Sequence, residues 1–197
     1  MSVGLYDEAL VNKIKNWTSG TSVTIVGPQE TKRLLQTIAD ETNDAPIKLP
    51  LISIKRPGGF TVLQTSKRPM SFDGLTLEAT HEIAKQLNAI PIGVAYQIDV
   101  YARYFEEADQ YARNIVFNII NYPKLQVSIP YNGANYIHDS NITMEPEVDD
   151  NSDIPERLIS GQFTRFTIKI SIDDAYLWDV RYRDVYSIDV SYEIKED

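Results

Sequence analysis

The sequence contains no cysteine, which excludes disulfides, thiolate metal sites and a cysteine nucleophile together. Histidine is almost as scarce. His81 and His138 stand far apart with no partner at metal-ligand spacing, whereas a zinc site needs three or four ligands. No apolar run approaches the roughly 20 residues that span a bilayer, so no membrane association is expected. The opening stretch MSVGLYDEALVNK lacks the basic-then-apolar order of a signal peptide, and a reducing cytoplasm is the natural default. Gly58-Gly59 fits neither the G-x-x-x-x-G-K-[S/T] nor the G-x-G-x-x-G frame, so no phosphate loop is read. A G-x-S-x-G nucleophile elbow is also missing.

Positive charge is in short supply as well. Nineteen Lys and Arg against 28 Asp and Glu leave a formal charge of −9. A protein that grips nucleic-acid phosphates needs a basic face to displace counterions, so specific DNA binding is not expected. The surplus of carboxylates reads as a device for solubility. Asp149, Asp150 and Asp153 lack the spaced glycine and closing glutamate of a calcium loop and read as a solvated stretch. Glu106, Glu107 and Asp109 stand at a helix start, where the helix dipole favours anions. The expectation is therefore no catalytic residue, no cofactor, no metal, and no enzyme.

What is present is an ordered alternation of helical and extended patterns. A chain of 197 residues suits one domain and can bury on the order of 70% of its unfolded surface. Leu5, Leu10, Ile14 and Trp17 are spaced for a helix that Gly20 stops. Ser22 to Val26 is a short β-branched run, and Pro28 opens a second helical pattern reaching about Glu41. Ile47 to Ile54 is apolar but interrupted by Pro46 and Pro50, which predicts an edge strand or extended segment. Arg56 to Gly59 and Asp73-Gly74 read as turns, with a possible strand over 60–65 between them and a helix over 77–87 after them.

The middle of the chain gives the clearest pattern. Val94, Tyr96, Ile98, Val100 and Ala102 alternate with Gln97, Asp99, Tyr101 and Arg103, the period of a strand with one face on a core. Phe105, Ala108, Ala112, Ile115 and Ile119 then fall on one helical stripe, which Tyr122-Pro123 ends. Leu125, Val127 and Ile129 alternate as another strand. Tyr131 to Ala134 reads as a turn and Tyr136 to Met144 as a strand. Glu145 to Glu156, rich in carboxylates and with two prolines, reads as an exposed loop, mobile in the free subunit. Phe166 to Ile172 and Tyr186 to Ile194 alternate as two closing strands. The predicted fold class is α+β, a mostly antiparallel sheet with helices packed on one face, in a single domain over 1–197 with a helical N-terminal segment over 1–45.

Twelve tyrosines, several beside charged residues, supply the residue types enriched at interface centres. Tyr101 and Arg103, opposite the apolar face of the clearest strand, are the candidate interface residues, together with Arg56 in its turn.

The stretch IPIGVAYQIDVYARYFEEADQYARNIVFNIINYPKLQVSIPYNG resembles the tail sheath stabiliser and completion (tail terminator) proteins of contractile-tailed bacteriophages. The matching positions are Ile90-Pro91, Tyr96, Tyr101 to Tyr104, the helix from Phe105, and Leu125 to Ile129. Leu49 to Ser53 and Phe163 to Trp178 resemble flanking parts of that family, so the likeness covers about residues 45–180. It implies a tail-terminator-like fold and a virion protein, assembled in the host cytoplasm, that caps the head-proximal end of the tail tube as a ring, a hexamer in that family. Its implied partners are further copies of itself, the tail tube, the sheath and the neck, with DNA passing through unbound. A head-side neck adaptor, a baseplate component and, less favoured, a small-molecule binding protein are the alternatives.

Overall fold

The computed structural model describes residues 3–19, 21–31, 49–63, 70, 72–131, 133–152 and 163–178. In chain order these form helix α1 (Val3–Trp17), strands β1 (Thr24–Val26), β2 (Leu51–Lys55) and β3 (Thr61–Val62), and helix α2 (Leu77–Gln86). Strand β4 (Ile90–Ala102) and helix α3 (Phe105–Asn121) follow, then strands β5 (Lys124–Tyr131), β6 (Ala134–Asn141), β7 (Thr143–Asp150) and β8 (Thr164–Leu177). A helical turn also begins at Pro28. The helical pattern beyond Thr31 and the closing strand read over 186–194 lie outside the described residues.

Among the described residues six strands make the main sheet in the order β1-β2-β4-β8-β7, with β3 paired to β4 beside β2. Of the described pairings in this sheet, β1 with β2 is parallel and the rest are antiparallel. The fold is α+β. The β4–β8 ladder is its spine, running from Ile90↔Leu177 to Ala102↔Thr164 with one shift in register near Gly93. Along it Val94, Tyr96, Ile98 and Val100 stand opposite Ile172, Ile170, Ile168 and Phe166, so one face is continuously apolar. Ile52 and Ile54 extend that face across β2.

The two long helices cover this face. Ala108, Ala112, Ile115 and Ile119 of α3 are buried on the stripe its spacing predicts, and the Phe105 ring meets Phe166 edge-on at 5.4 Å. Helix α1 buries Val3, Tyr6, Leu10 and Ile14, with Asp7 among them, and Asn114 of α3 donates to the Trp17 carbonyl at 3.1 Å. Among the described residues no helix is long and apolar enough to cross a membrane.

Two expectations are corrected here. The segment around Pro50 is not an edge: Leu51–Lys55 lies inside the sheet between β1 and β4, and the proline sits just before the strand, where no ladder donor is needed. Residues 143–150 are not a loop but strand β7, the outermost of the described strands on that side, paired to β8 by Met144↔Ile170 and Val148↔Ile168 with a shift between them. Its carboxylates are tolerated because an edge strand keeps one side in water. Residues 153–156 of the same stretch lie outside the described residues.

Strands β5 and β6 form a separate hairpin in full register from Lys124↔Asn141 to Tyr131↔Ala134. Gly133 takes φ +77° in its tight turn, a conformation glycine adopts without a Cβ clash. Leu125, Val127 and Ile129 are buried and the residues between them exposed. Helix α3 thus carries the chain out of the main sheet, so the strand before it and the strand after it belong to different sheets.

Candidate assembly surfaces and buried polar clusters

The back face of the main sheet, opposite the helices, holds a carboxylate with no exposure at all, Asp99. Strand alternation puts its side chain between Ser53 of β2 and Thr167 of β8. Lys55 Nζ lies 2.8 Å from one of its oxygens and Arg165 Nη2 3.1 Å from the other. Gln97 and Thr167 each donate to it at 2.8 Å. Burial pushes this carboxyl up, but the bonds from Lys55 and Gln97 and the charges of Lys55 and Arg165 overcome it and hold the group below its ordinary value. The result is a clamp across three adjacent strands.

Tyr101, read as an exposed interface residue, belongs to the wall of this clamp. It is 2% exposed, with the Arg165 guanidinium over its ring at 5.5 Å and Phe163 at 6.0 Å. Arg103 is exposed, but it lies past the end of β4 in the link to α3 and so shares no strand face with Tyr101. Arg56 is partly exposed and holds the buried Asp7 of α1 through Nη1 at 3.2 Å. The structure therefore does not join the three candidate residues in one surface.

Asp7 also accepts a 2.8 Å hydrogen bond from the Tyr96 hydroxyl, pinning α1 to the centre of the apolar face. Desolvation raises its carboxyl above the ordinary value, opposed by the Tyr96 bond and the Arg56 charge. Burial, with the adjacent Asp7 charge, likewise raises the Tyr96 phenol. Neither Asp7 nor Tyr6 stood out in the sequence, because the helical stripe was placed on Leu5, Leu10, Ile14 and Trp17. Tyr6 lies four residues before Leu10 on that stripe, which was the available signal.

Ser140, His138 and Asp174 come together at the joint between the hairpin and β8. His138 Nε2 lies 3.0 Å from Ser140 Oγ and 3.3 Å from the Asp174 carbonyl oxygen. The trio has the residue types of a hydrolase triad but not its arrangement. His138 and Ser140 are both buried, and the Asp174 carboxylate turns away to accept from the Asn141 backbone N–H at 2.9 Å. Tyr6, Phe72 and Tyr176 close edge-on around the imidazole, at 6.3, 6.2 and 5.5 Å. His138 and Ser140 are thus packed in a joint away from solvent. Among the described residues no three His, Asp or Glu side chains gather where they could hold a metal ion.

The accessible surface offers a different feature. A groove of about 760 Å³ opens between one side of α1, the end of α3 and the start of β5. Side-chain amides line it from all sides: Asn12, Asn16, Asn121, Gln126 and Asn141. Lys13 and Lys124 are its charged lining residues; Lys124 is paired with Asp139 at 3.3 Å, and Asn141 donates to the Asp174 carboxylate. Just before it on α3, Phe117 and Ile120 stand 63% and 64% exposed, and Tyr122 on its rim is 60% exposed. Three large apolar groups in water within six residues mark a contact surface more than a solvated helix end.

Comparison with known proteins finds no family model that matches the chain and no curated protein that does.

Proposed function

We propose that the protein is a structural subunit that assembles as a ring at the head-proximal end of a contractile phage tail, capping the tube and sheath and joining them to the neck. The observation that carries this reading is the exposed apolar end of α3 beside the amide-lined groove. It is a surface suited to another protein, mounted on a sheet whose buried polar groups are spent on one another. The Asp99 clamp and the Ser140–His138 pair consume the side chains that acid–base or nucleophilic chemistry would use, which favours a mechanical role over catalysis. The resemblance over residues 45–180 supplies the family, and a strongly acidic ring would let DNA pass without adhering to its wall.

The test is genetic and visual. Particles made without functional protein are expected to have tails of uncontrolled length, or finished tails that never join capsids, in electron micrographs. Tails of normal length that attach to capsids and contract normally in its absence would end the reading.

A further inference from the structure

The hydrogen bonds around the groove leave its amides unequally occupied. Asn121 donates to the Phe117 carbonyl at 2.7 Å and Asn141 to the Asp174 carboxylate at 3.2 Å, so each keeps its amide oxygen to accept with. Asn12, Asn16 and Gln126 are exposed, and among the described residues their amides have no protein partner. Charge cancels across the site. Lys13 and Lys124 line it, but the Asp139 and Asp174 carboxylates back it, one on Lys124 and the other on Asn141. Two cations against two anions give a phosphate or an acidic peptide little to seek.

Asp139 supplies a second observation. Strand register pairs Lys124 with Asn141 and Gln126 with Asp139, so these four side chains form a square on one face of the hairpin. Three of its corners line the groove. At the fourth, Asp139 Oδ1 is buried with no hydrogen-bond partner, alone in this among the described side chains. An unmet buried acceptor is costly and points to a missing donor. Its partner Lys124 is 71% exposed, a long side chain able to swing aside and let a donor in.

A pocket for an ordinary small ligand is mostly apolar with a few polar points. This groove inverts that pattern. It offers amides in number, balanced charge and one aromatic ring at the rim, Tyr122, 60% exposed. The chemistry that matches is a set of adjacent hydroxyls. Each hydroxyl donates once and accepts twice, and a carboxamide presents donors and an acceptor in one plane. The C–H face of a sugar ring is apolar and packs on an aromatic face. A volume of about 760 Å³ is that of an ordinary ligand site.

We infer that the groove binds a neutral, polyhydroxylated ligand, a saccharide. Asn12, Asn16 and Gln126 hydrogen-bond its hydroxyls, and Tyr122 stacks on one of its rings. A further hydroxyl donates to Asp139 Oδ1 once Lys124 moves aside. Recognition needs one subunit alone, so the site stands whether or not the chain forms a ring.

Titration calorimetry and saturation-transfer NMR on the full chain test it, with maltohexaose, chitohexaose, glucose, N-acetylglucosamine and glycerol as probes. Saturable binding of a neutral saccharide is expected. It should be weak, about millimolar, because each hydrogen bond replaces one to water, and equal at low and high salt, because no ion pair forms. Binding of the hexasaccharides alone assigns the site to a glycan chain, and equal binding of the single sugars assigns it to a free sugar. Asn12→Ala/Asn16→Ala should weaken binding about tenfold, the worth of two ordinary hydrogen bonds. Tyr122→Phe should bind as the wild type does, and Tyr122→Ala more weakly. Asp139→Ala should weaken binding without lowering the melting temperature, which a merely structural carboxylate would not do. No saturable signal with any saccharide, or binding that these groove variants leave intact, would overturn the assignment. So would a preference for a sulfated heparin hexasaccharide that salt abolishes. Glycerol bound as well as the sugars would overturn it too, as an adventitious additive only.

Discussion

Asp7 and Asp99 both carry a carboxylate into the interior, on opposite sides of the same sheet, and their surroundings drive them in opposite directions. Asp99 lies on the central strand, where the ladder fixes Lys55, Arg165 and Thr167 on its flanks. Asp7 lies on a helix laid over the apolar face and meets one phenol and one partly exposed arginine. Strand register can deliver several partners to one point, because neighbouring strands present side chains at matched heights. A helix docked on an apolar surface delivers few. One carboxyl is held below its ordinary value and the other above it, although both are buried.

The sharpest way to test that contrast is to move the charge by one residue. Ile98 is fully buried on the helix side, between Ile54 and Ile168. Ile98→Asp places there the carboxylate that position 99 accommodates, flanked on the neighbouring strands by aliphatic Ile54 and Ile168 instead of the cations that hold Asp99. It is expected to cost about 5 kcal/mol or more and leave little folded protein. Asp99→Ala should cost about 3–5 kcal/mol, because it strands Arg165 and Lys55 without their anion. Urea denaturation measures both. A loss under about 1 kcal/mol for either would mean that the sheet does not discriminate between its faces.

The next effect is smaller and concerns the wall of the clamp. Tyr101→Ser removes a buried ring from between Arg165 and Phe163 and should cost about 3 kcal/mol. Arg103→Ser, in the exposed link, should stay within about 0.5 kcal/mol. Equal small effects on thermal denaturation would return Tyr101 to the surface.

The smallest effect is a pH dependence, and its sign separates the two carboxyls. Asp7 has a raised folded-state pKa, so its contribution is fully present below about pH 4 and is lost as pH rises through the folded value. Asp99 has a lowered one, so its contribution is present above about pH 4 and is lost as pH falls through the folded value. Asp7→Asn should therefore remove a decline in stability above pH 4 while leaving the acid-side loss in place. Denaturation midpoints across that range for wild type and variant check it. An unchanged profile in Asp7→Asn would break the contrast.

These cases also show how far the sequence could be read. The apolar half of β4 and the stripe of α3 were legible because a single period, two or 3.6, determines which side chains face inward. The opposite half of β4 was not. Alternation says that Gln97, Asp99 and Tyr101 point away from the helices, but whether that direction meets water depends on Arg165 and Thr167, which lie more than 60 residues later in the chain. Acidic β7 was misread because carboxylates signal solvent, and an edge strand is half in solvent while still paired. The groove had no sequence signature. Its amides come from α1, α3, β5 and β6, and only the folded chain gathers them.

The joint around His138 has a consequence for how the molecule opens. Hairpin β5–β6 satisfies its ladder internally and is fastened to the rest largely by side chains. Asn141 is held by the Asp174 carboxylate, His138 sits among its rings, and one backbone bridge joins Phe72 to His138. Release of those fastenings, with withdrawal of Leu125, Val127 and Ile129 from the shared core, would free two strands without breaking a rung of β4–β8. The hairpin is thus a cooperative unit of its own, able to exchange its amide hydrogens through a local excursion while the spine of the main sheet stays protected until global unfolding.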